Sequence, residues 1–155
     1  MSSLILNDAT VLDCTGADAS PHRSVLVQDG RITLIGAAGS IGDVDGVDGA
    51  RTIECDGRML MPGLTDAHVH FGLIDDAVGG QPASYVSYVI KVLENMHLAL
   101  DEGFTTVRDA GGLDPAYALA VDAAEAIGPR ILPSGSFLTI TGGHGDHRGR
   151  FDDSP

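Results

Sequence analysis

Short apolar runs separated by turn signals dominate the first part of the chain. Residues 4–13 alternate between apolar and polar positions, and their pattern predicts a pair of strands. Two further runs, at 24–28 and 31–35, flank the dipeptide Asp29-Gly30. Asp-Gly between two such runs favours a tight hairpin, because both residue types tolerate positive φ. Short strands at this spacing are typical of a β-sandwich.

The second part of the chain contains a strongly periodic segment. Residues 85–102 predict a helix, since their apolar positions recur at helical spacing. Ser84 is expected to cap the start of this helix, and Gly103 is expected to end it in a left-handed conformation. The apolar positions that define the predicted buried face are Val86, Val89, Ile90, Leu93, Met96 and Leu100.

Strand-like and helix-like segments alternate around that helix. A β-branched strand is predicted at 104–107, a second helix at 114–127, and a third strand at 130–133. The second helix begins at Asp114-Pro115, a cap followed by a proline at a first-turn position. Strand–helix units in succession predict a parallel α/β sheet.

The strongest candidate for chemistry is the segment MLMPGLTDAHVH at residues 59–70. Its pattern predicts a buried strand, in which Asp66, His68 and His70 share one face. Same-face residues lie roughly 6.5 Å apart along a strand. Two imidazoles can therefore converge on one metal ion near the strand's end.

Other polar residues could support such a site. Asp109 stands where the 104–107 strand meets its loop, so it could hydrogen-bond to a ligand; an ion pair with Arg108 or a backbone cap is the alternative. The glycines around His144 permit close approach to a ligand, and His147 follows nearby. A polar loop without an ordered role is the alternative there.

Composition narrows the classes of function. The 155 residues carry a formal charge of −13, which argues against nucleic-acid and anionic-membrane partners. No apolar run approaches the roughly 18 residues needed to span a bilayer, and the N-terminus lacks a secretory pattern. Cys14 and Cys55 stand apart from any CxxC motif, which predicts reduced thiols and a cytoplasmic location.

These motifs together resemble a known family. The segment PGLTDAHVH at 62–70 resembles the first-strand signature of the amidohydrolase superfamily, and GFTTVRD at 103–109 and GPRILPSG at 128–135 resemble its second and third strands. TGGHGD at 141–146 resembles the branch with prolidase-like and imidazolonepropionase-related enzymes. The resemblance implies an α/β fold: part of a small β-sandwich at 1–58, then at 59–155 the first three β/α units of an incomplete (β/α)8 barrel.

The resemblance also implies a function. His68 and His70 are expected to bind one divalent metal ion, most plausibly zinc, with a second ion also compatible. A metal-activated water would then hydrolyse the amide bond of a dipeptide or N-acyl amino acid. Asp66 and Asp109 are expected to support the ligands without binding metal, and His144 is expected to lie near the substrate's carboxylate. We also expect a homo-oligomer.

The same resemblance implies a longer enzyme. Three barrel strands and two histidine ligands fall short of eight strands and three protein ligands. We therefore expect a second segment or a separate chain to supply the remaining ligands and the general base. The alternatives are a cyclic-amide or imidazolone hydrolase, a deaminase, an inactive structural fragment, and a self-contained site formed by His68, His70, His144 and Asp146.

Overall fold

The computed structural model describes residues 3–42, 47, 49–74, 84–141 and 143. It has a mixed α/β fold, as predicted, and divides into two compact units, Met1–Pro62 and Gly63–Pro155. Within the described residues, neither helix is both long enough and apolar enough to cross a membrane.

The first unit is built on one five-stranded sheet. Its strands are β1 (Ser3–Val11), β2 (Ser20–Gln28), β3 (Arg31–Ala37), β4 (Arg51–Glu54) and β5 (Met59–Leu60). The order is β3-β2-β1-β4, and β5 also pairs with β1. β1 runs antiparallel to β2 and parallel to β4 and β5. β5 pairs with β1, and this unit ends at Pro62. The division at residue 58, drawn from the sequence, stays a prediction.

The turns of this sheet test two predictions. The Asp29-Gly30 hairpin is confirmed: both residues have positive φ, 48° and 76°, and β2 pairs with β3 across them. The strand pair predicted at residues 4–13 is wrong, because β1 is one continuous strand. Asp8 has a φ of 51° and the register shifts between Leu6 and Ala9, so the chain makes a bulge there instead of a turn.

The second unit contains the strand–helix units. Its elements are β6 (Leu64–Val69), α1 (Tyr85–Asp101), β7 (Phe104–Asp109), α2 (Ala116–Asp122) and β8 (Arg130–Pro133). The three strands form one sheet in the order β6-β7-β8, and both pairings are parallel. The predicted parallel sheet is therefore confirmed.

The ends of α1 were predicted correctly. The Ser84 hydroxyl oxygen accepts a hydrogen bond from Ser87 N at 3.1 Å, and Gly103 takes the left-handed region with a φ of 90°.

The second helix is shorter than predicted, because α2 ends at Asp122 and not at residue 127. Ala124 has a φ of 57°, which no right-handed helix accommodates. At the start, an Asp114 carboxylate oxygen accepts from Ala116 N at 2.9 Å, as a cap would, but Pro115 is the N-cap residue and not the predicted first-turn residue.

The core of the second unit corrects the predicted buried face of α1. Of the predicted positions, Met96 is fully buried and Leu93 packs against the core, whereas Val86 and Ile90 are 65% and 50% exposed within the described structure. Val92, which was not predicted, is fully buried as well. The buried face therefore overlaps the predicted one only in part. The buried cluster consists of Phe71, Val92, Met96, Val107, Leu113, Ala118 and Ile131.

The first strand of this sheet is not the buried strand that the sequence predicted. Leu64 is 42% exposed and Ala67 and His68 are exposed, because β6 lies at an edge of the three-stranded sheet. The interpretations of the two units as part of a β-sandwich and part of a barrel stay predictions.

The core makes a direct prediction about stability. Met96→Ala should lower the free energy of unfolding by about 2–5 kcal/mol, because it removes a fully buried side chain and leaves a cavity. Leu98→Ala is the matched control on the same helix, since Leu98 is 58% exposed, and it should cost far less. Chemical denaturation of both variants measures the difference; equal losses would contradict this description of the core.

Candidate metal centre

The candidate site lies where two neighbouring strands end. β6 and β7 are parallel neighbours, so their carboxyl ends meet at the same edge of the sheet. His68 belongs to β6, and His70 follows its last residue. Asp109 is the last residue of β7, and Gly111 follows it by two positions. Loops at this edge carry the sites of parallel α/β proteins.

The two predicted metal ligands are brought together. Nε2 of His68 lies 3.2 Å from Nε2 of His70, and the ring centroids are 5.0 Å apart with planes at 76°. Two nitrogen ligands of a tetrahedral zinc ion, each about 2.0–2.1 Å from the metal, lie about 3.3 Å apart. The pair therefore fits one divalent ion, and the same separation also fits a hydrogen bond between the rings.

The hydrogen bond of His70 Nδ1 indicates which ring nitrogen of His70 is available to bind a metal ion. Nδ1 lies 3.0 Å from the carbonyl oxygen of Gly111. A carbonyl oxygen only accepts, so Nδ1 carries the proton and donates. Neutral His70 then has its lone pair on Nε2, the atom that faces His68. This is the tautomer that ligation through Nε2 requires.

Glycines permit the close packing of backbone around this contact. Gly111 has a φ of 142°, and a Cβ added there would overlap the Phe137 ring. A Cβ added to Gly72 would overlap the carbonyl oxygen of Gly112. The Phe137 ring also lies against His70, with centroids 5.8 Å apart. The Phe137 ring therefore lies against both Gly111 and one side of His70.

The two predicted supporting carboxylates act on the backbone and not on the rings. Asp66 Oδ1 accepts a hydrogen bond from His68 N at 2.9 Å. This bond stabilises the backbone of β6 where its pairing with β7 becomes irregular. Asp109 is fully buried, and its two oxygens accept from Phe71 N at 2.8 Å and Gly111 N at 3.0 Å. Arg108 donates to the carbonyl oxygen of Ala67 at 2.7 Å. Of the sequence alternatives for Asp109, the backbone cap is therefore present.

One titratable neighbour of Asp109 is a tyrosine. Burial raises the pKa of the Tyr88 hydroxyl, and the negative charges of Asp109 and Asp114 raise it further. With its pKa above the ordinary tyrosine value, Tyr88 is a neutral phenol at neutral pH. It therefore adds no second negative charge beside the buried carboxylate.

The described residues supply an incomplete set of ligands. Among them, no group of three or more His, Cys, Asp or Glu residues is arranged to hold a metal ion. His144, Asp146 and His147 lie outside the described residues. The roles predicted for them, including the self-contained site, stay predictions.

Sequence reasoning missed Gly111 and Phe137. The signal for Gly111 was the glycine pair that follows β7 directly, because adjacent glycines after a strand often mark close approach of the backbone to another group. Phe137 carried no such signal, since its contact with His70 joins residues far apart in the chain.

Comparisons with known proteins agree on one family. Residues 59–154 match the Amidohydrolase family. Ochratoxinase from Aspergillus niger is 36% identical over 92 residues, covering 57% of this chain and 19% of that protein. L-hydantoinase from Paenarthrobacter aurescens is 35% identical over 65 residues, covering 41% of this chain and 13% of that protein.

A solved structure shares the fold over nearly the whole chain. It is a prolidase complexed with N-methylphosphonate-L-proline, with a TM-score of 0.79 and 34% sequence identity. The match covers 97% of this chain and 36% of that one. The chain thus spans about a fifth of the ochratoxinase and about a third of the prolidase.

The glycine packing at the site predicts a stability effect. Gly72→Ala should lower the free energy of unfolding by about 1–3 kcal/mol, because its Cβ would overlap backbone at Gly112, which cannot move aside as a side chain can. Gly42→Ala is the control, since a Cβ there meets nothing within 4 Å. Denaturant titration compares the two, and a neutral Gly72→Ala would show that this loop packs differently.

Proposed function

This chain belongs to the amidohydrolase family, and on that premise we propose that it contributes the first two metal ligands of a metal-dependent hydrolase of amide bonds. The observation that carries the proposal is the convergence of the Nε2 atoms of His68 and His70 at 3.2 Å. The Gly111 carbonyl, which accepts from His70 Nδ1, supports it by leaving the facing nitrogen unprotonated.

We propose zinc as the metal, bound by the neutral imidazoles of His68 and His70. Such an ion supplies Lewis acidity, which lowers the pKa of a water molecule and polarises a carbonyl oxygen. His70 would be held in place by Gly111, and the backbone of His68 by Asp66. The Phe137 ring would cover part of His70.

The completed enzyme is proposed to be a (β/α)8 barrel with a small β-sandwich. The three parallel strands of the second unit and their two helices would be the first part of that barrel. The remaining ligands and the general base would come from sequence outside residues 1–155, as a further segment or a separate chain. The proposal is supported by the match to 36% of the prolidase chain and by the closeness of two candidate ligands, His68 and His70, among the described residues.

For the substrate we propose a dipeptide or an N-acyl amino acid. The support is the similarity to a prolidase whose bound ligand joins a phosphonate to L-proline. His144 is proposed to contact the substrate's carboxylate. A cytoplasmic location is also proposed, in keeping with the free thiols of Cys14 and Cys55.

A second candidate function is hydrolysis of a cyclic amide. The observation that favours it is the 35% identity to L-hydantoinase over 65 residues, a stretch that covers 41% of this chain. The imidazole pair would serve both reactions, because in each of them a metal-activated water molecule attacks a carbonyl carbon.

The proposed metal ligands can be tested by substitution in the full-length protein, that is, in residues 1–155 together with the segment or chain proposed to complete the enzyme. His68→Ala and His70→Ala should each weaken zinc binding by more than about a hundredfold, because each removes a ligand and not only a supporting contact. His97→Ala is the matched control, since His97 is exposed on α1. Elemental analysis and competition with a chelator measure the loss. Stoichiometric zinc in both histidine variants would refute the assignment.

The substrate class can be tested with a panel of compounds. Full-length protein loaded with zinc should release amino acid from X-Pro dipeptides or N-acyl amino acids faster than it opens hydantoins. A preference of about tenfold or more in kcat/KM corresponds to about 1.4 kcal/mol of transition-state discrimination. Faster opening of hydantoins would favour the second candidate, and release of ammonia from aminopurines would indicate a deaminase.

A further inference from the structure

Asp109 is a buried carboxylate that contacts neither imidazole. It is 0% exposed at the end of β7. Burying a carboxylate is costly unless its oxygens are hydrogen-bonded. Here Oδ2 accepts from Phe71 N at 2.8 Å, and Oδ1 accepts from Gly111 N at 3.0 Å. Both donors are neighbours of His70: Phe71 follows it in the chain, and Gly111 accepts its Nδ1 proton.

The peptide group between Gly111 and Gly112 is held at both ends. Its carbonyl oxygen accepts from His70 Nδ1 at 3.0 Å, and its N–H, on Gly112, donates to the carbonyl oxygen of Gly135 at 3.0 Å. The Gly111 N–H, one residue step earlier, donates to Asp109. The direction of the Gly111 carbonyl therefore depends on the Asp109 carboxylate and on a backbone contact with the segment after β8.

That direction has a chemical consequence for His70. Because the carbonyl oxygen cannot donate, it selects the tautomer with the proton on Nδ1. The partner of the non-ligating nitrogen sets which nitrogen of a histidine can bind metal. If the Gly111 carbonyl turned away, His70 would lose this bias, and a proton on Nε2 would occupy the position facing His68.

We propose that Asp109 is a positioning residue that, through Gly111, keeps His70 in the Nδ1–H tautomer with the Nε2 lone pair facing His68. Its consequence for metal affinity rests on the proposed function, whereas the tautomer does not. A purely structural Asp109 would tie the loop to the strand and leave the tautomer of His70 unchanged. The two roles therefore differ in a quantity that spectroscopy measures without metal.

The experiment uses full-length, metal-free protein with ¹⁵N-labelled histidine. Long-range ¹H–¹⁵N spectra should show wild-type His70 with a protonated Nδ1 and an unprotonated Nε2. Asp109→Asn places an amide NH₂, itself a donor, against one of the two backbone N–H groups, so one of those hydrogen bonds is lost and the loop at Gly111 is held less firmly. The population of His70 with the proton on Nδ1 should therefore fall. Zinc affinity should fall by about 10–100-fold, the range seen when a ligand's outer partner is removed.

Two further variants complete the design. Asp114→Asn is the matched control, because Asp114 also accepts from a backbone N–H, that of Ala116 at the start of α2. The tautomer of His70 and the zinc affinity should stay as in the wild type. Asp109→Ser is the second substitution, since its smaller hydroxyl can still accept from Gly111 N while the bond to Phe71 N is lost. It should retain the fold and a His70 tautomer population close to that of the wild type, because the bond to Gly111 N remains.

Each outcome decides the proposal. A folded Asp109→Asn with an unchanged His70 tautomer would overturn it, as would an Nε2–H tautomer in the wild type. Loss of the fold in both Asp109 variants would also overturn it, because Asp109 would then be structural. An Asp109-dependent tautomer in a protein that binds no zinc at His68 and His70 would support the positioning role and refute the proposed function alone.

Discussion

The hydrogen bond from His70 Nδ1 to the carbonyl of Gly111 is the contact on which the site depends. It joins residues 41 positions apart at the ends of β6 and β7, and it exists because these strands are adjacent and parallel. A parallel pair brings both carboxyl ends to one edge, where a side chain from one loop can reach the backbone of the next. The order of the strands therefore places the Gly111 carbonyl where it favours the Nδ1–H tautomer of His70.

Glycine makes that contact sterically possible. The backbone at Gly111 has a φ of 142° beside the Phe137 ring, and Gly72 lies directly against the backbone of Gly112. Side chains at these positions would separate the two loops and lengthen the hydrogen bond. Asp109 stabilises the two loops, because its carboxylate accepts a hydrogen bond from a backbone N–H in each of them. Charge-assisted bonds of this kind are stronger than neutral ones.

Much of this could be predicted from the sequence, and the failures have physical reasons. The Asp29-Gly30 hairpin and the caps of α1 were predictable because local residues alone determine them. The bulge at Asp8 was not, because its alternative, a turn, has the same local signature. The buried face of α1 was predicted only in part: Met96 is buried as expected, but Val86 and Ile90 are exposed although they are equally apolar. The closeness of His68 and His70 was predictable from their spacing on one strand, but the contacts of Asp109 depend on tertiary structure.

In the proposed site, the Nε2 atoms of His68 and His70 bind one zinc ion while Nδ1 of His70 stays hydrogen-bonded to Gly111. Anomalous diffraction at the zinc absorption edge, on crystals of the full-length protein grown with zinc, can locate that ion. We expect a single strong peak about 2.0–2.1 Å from both Nε2 atoms, with the Gly111 contact intact. A peak bound through Nδ1 of His70, or zinc bound only elsewhere in the protein, would refute the proposed site.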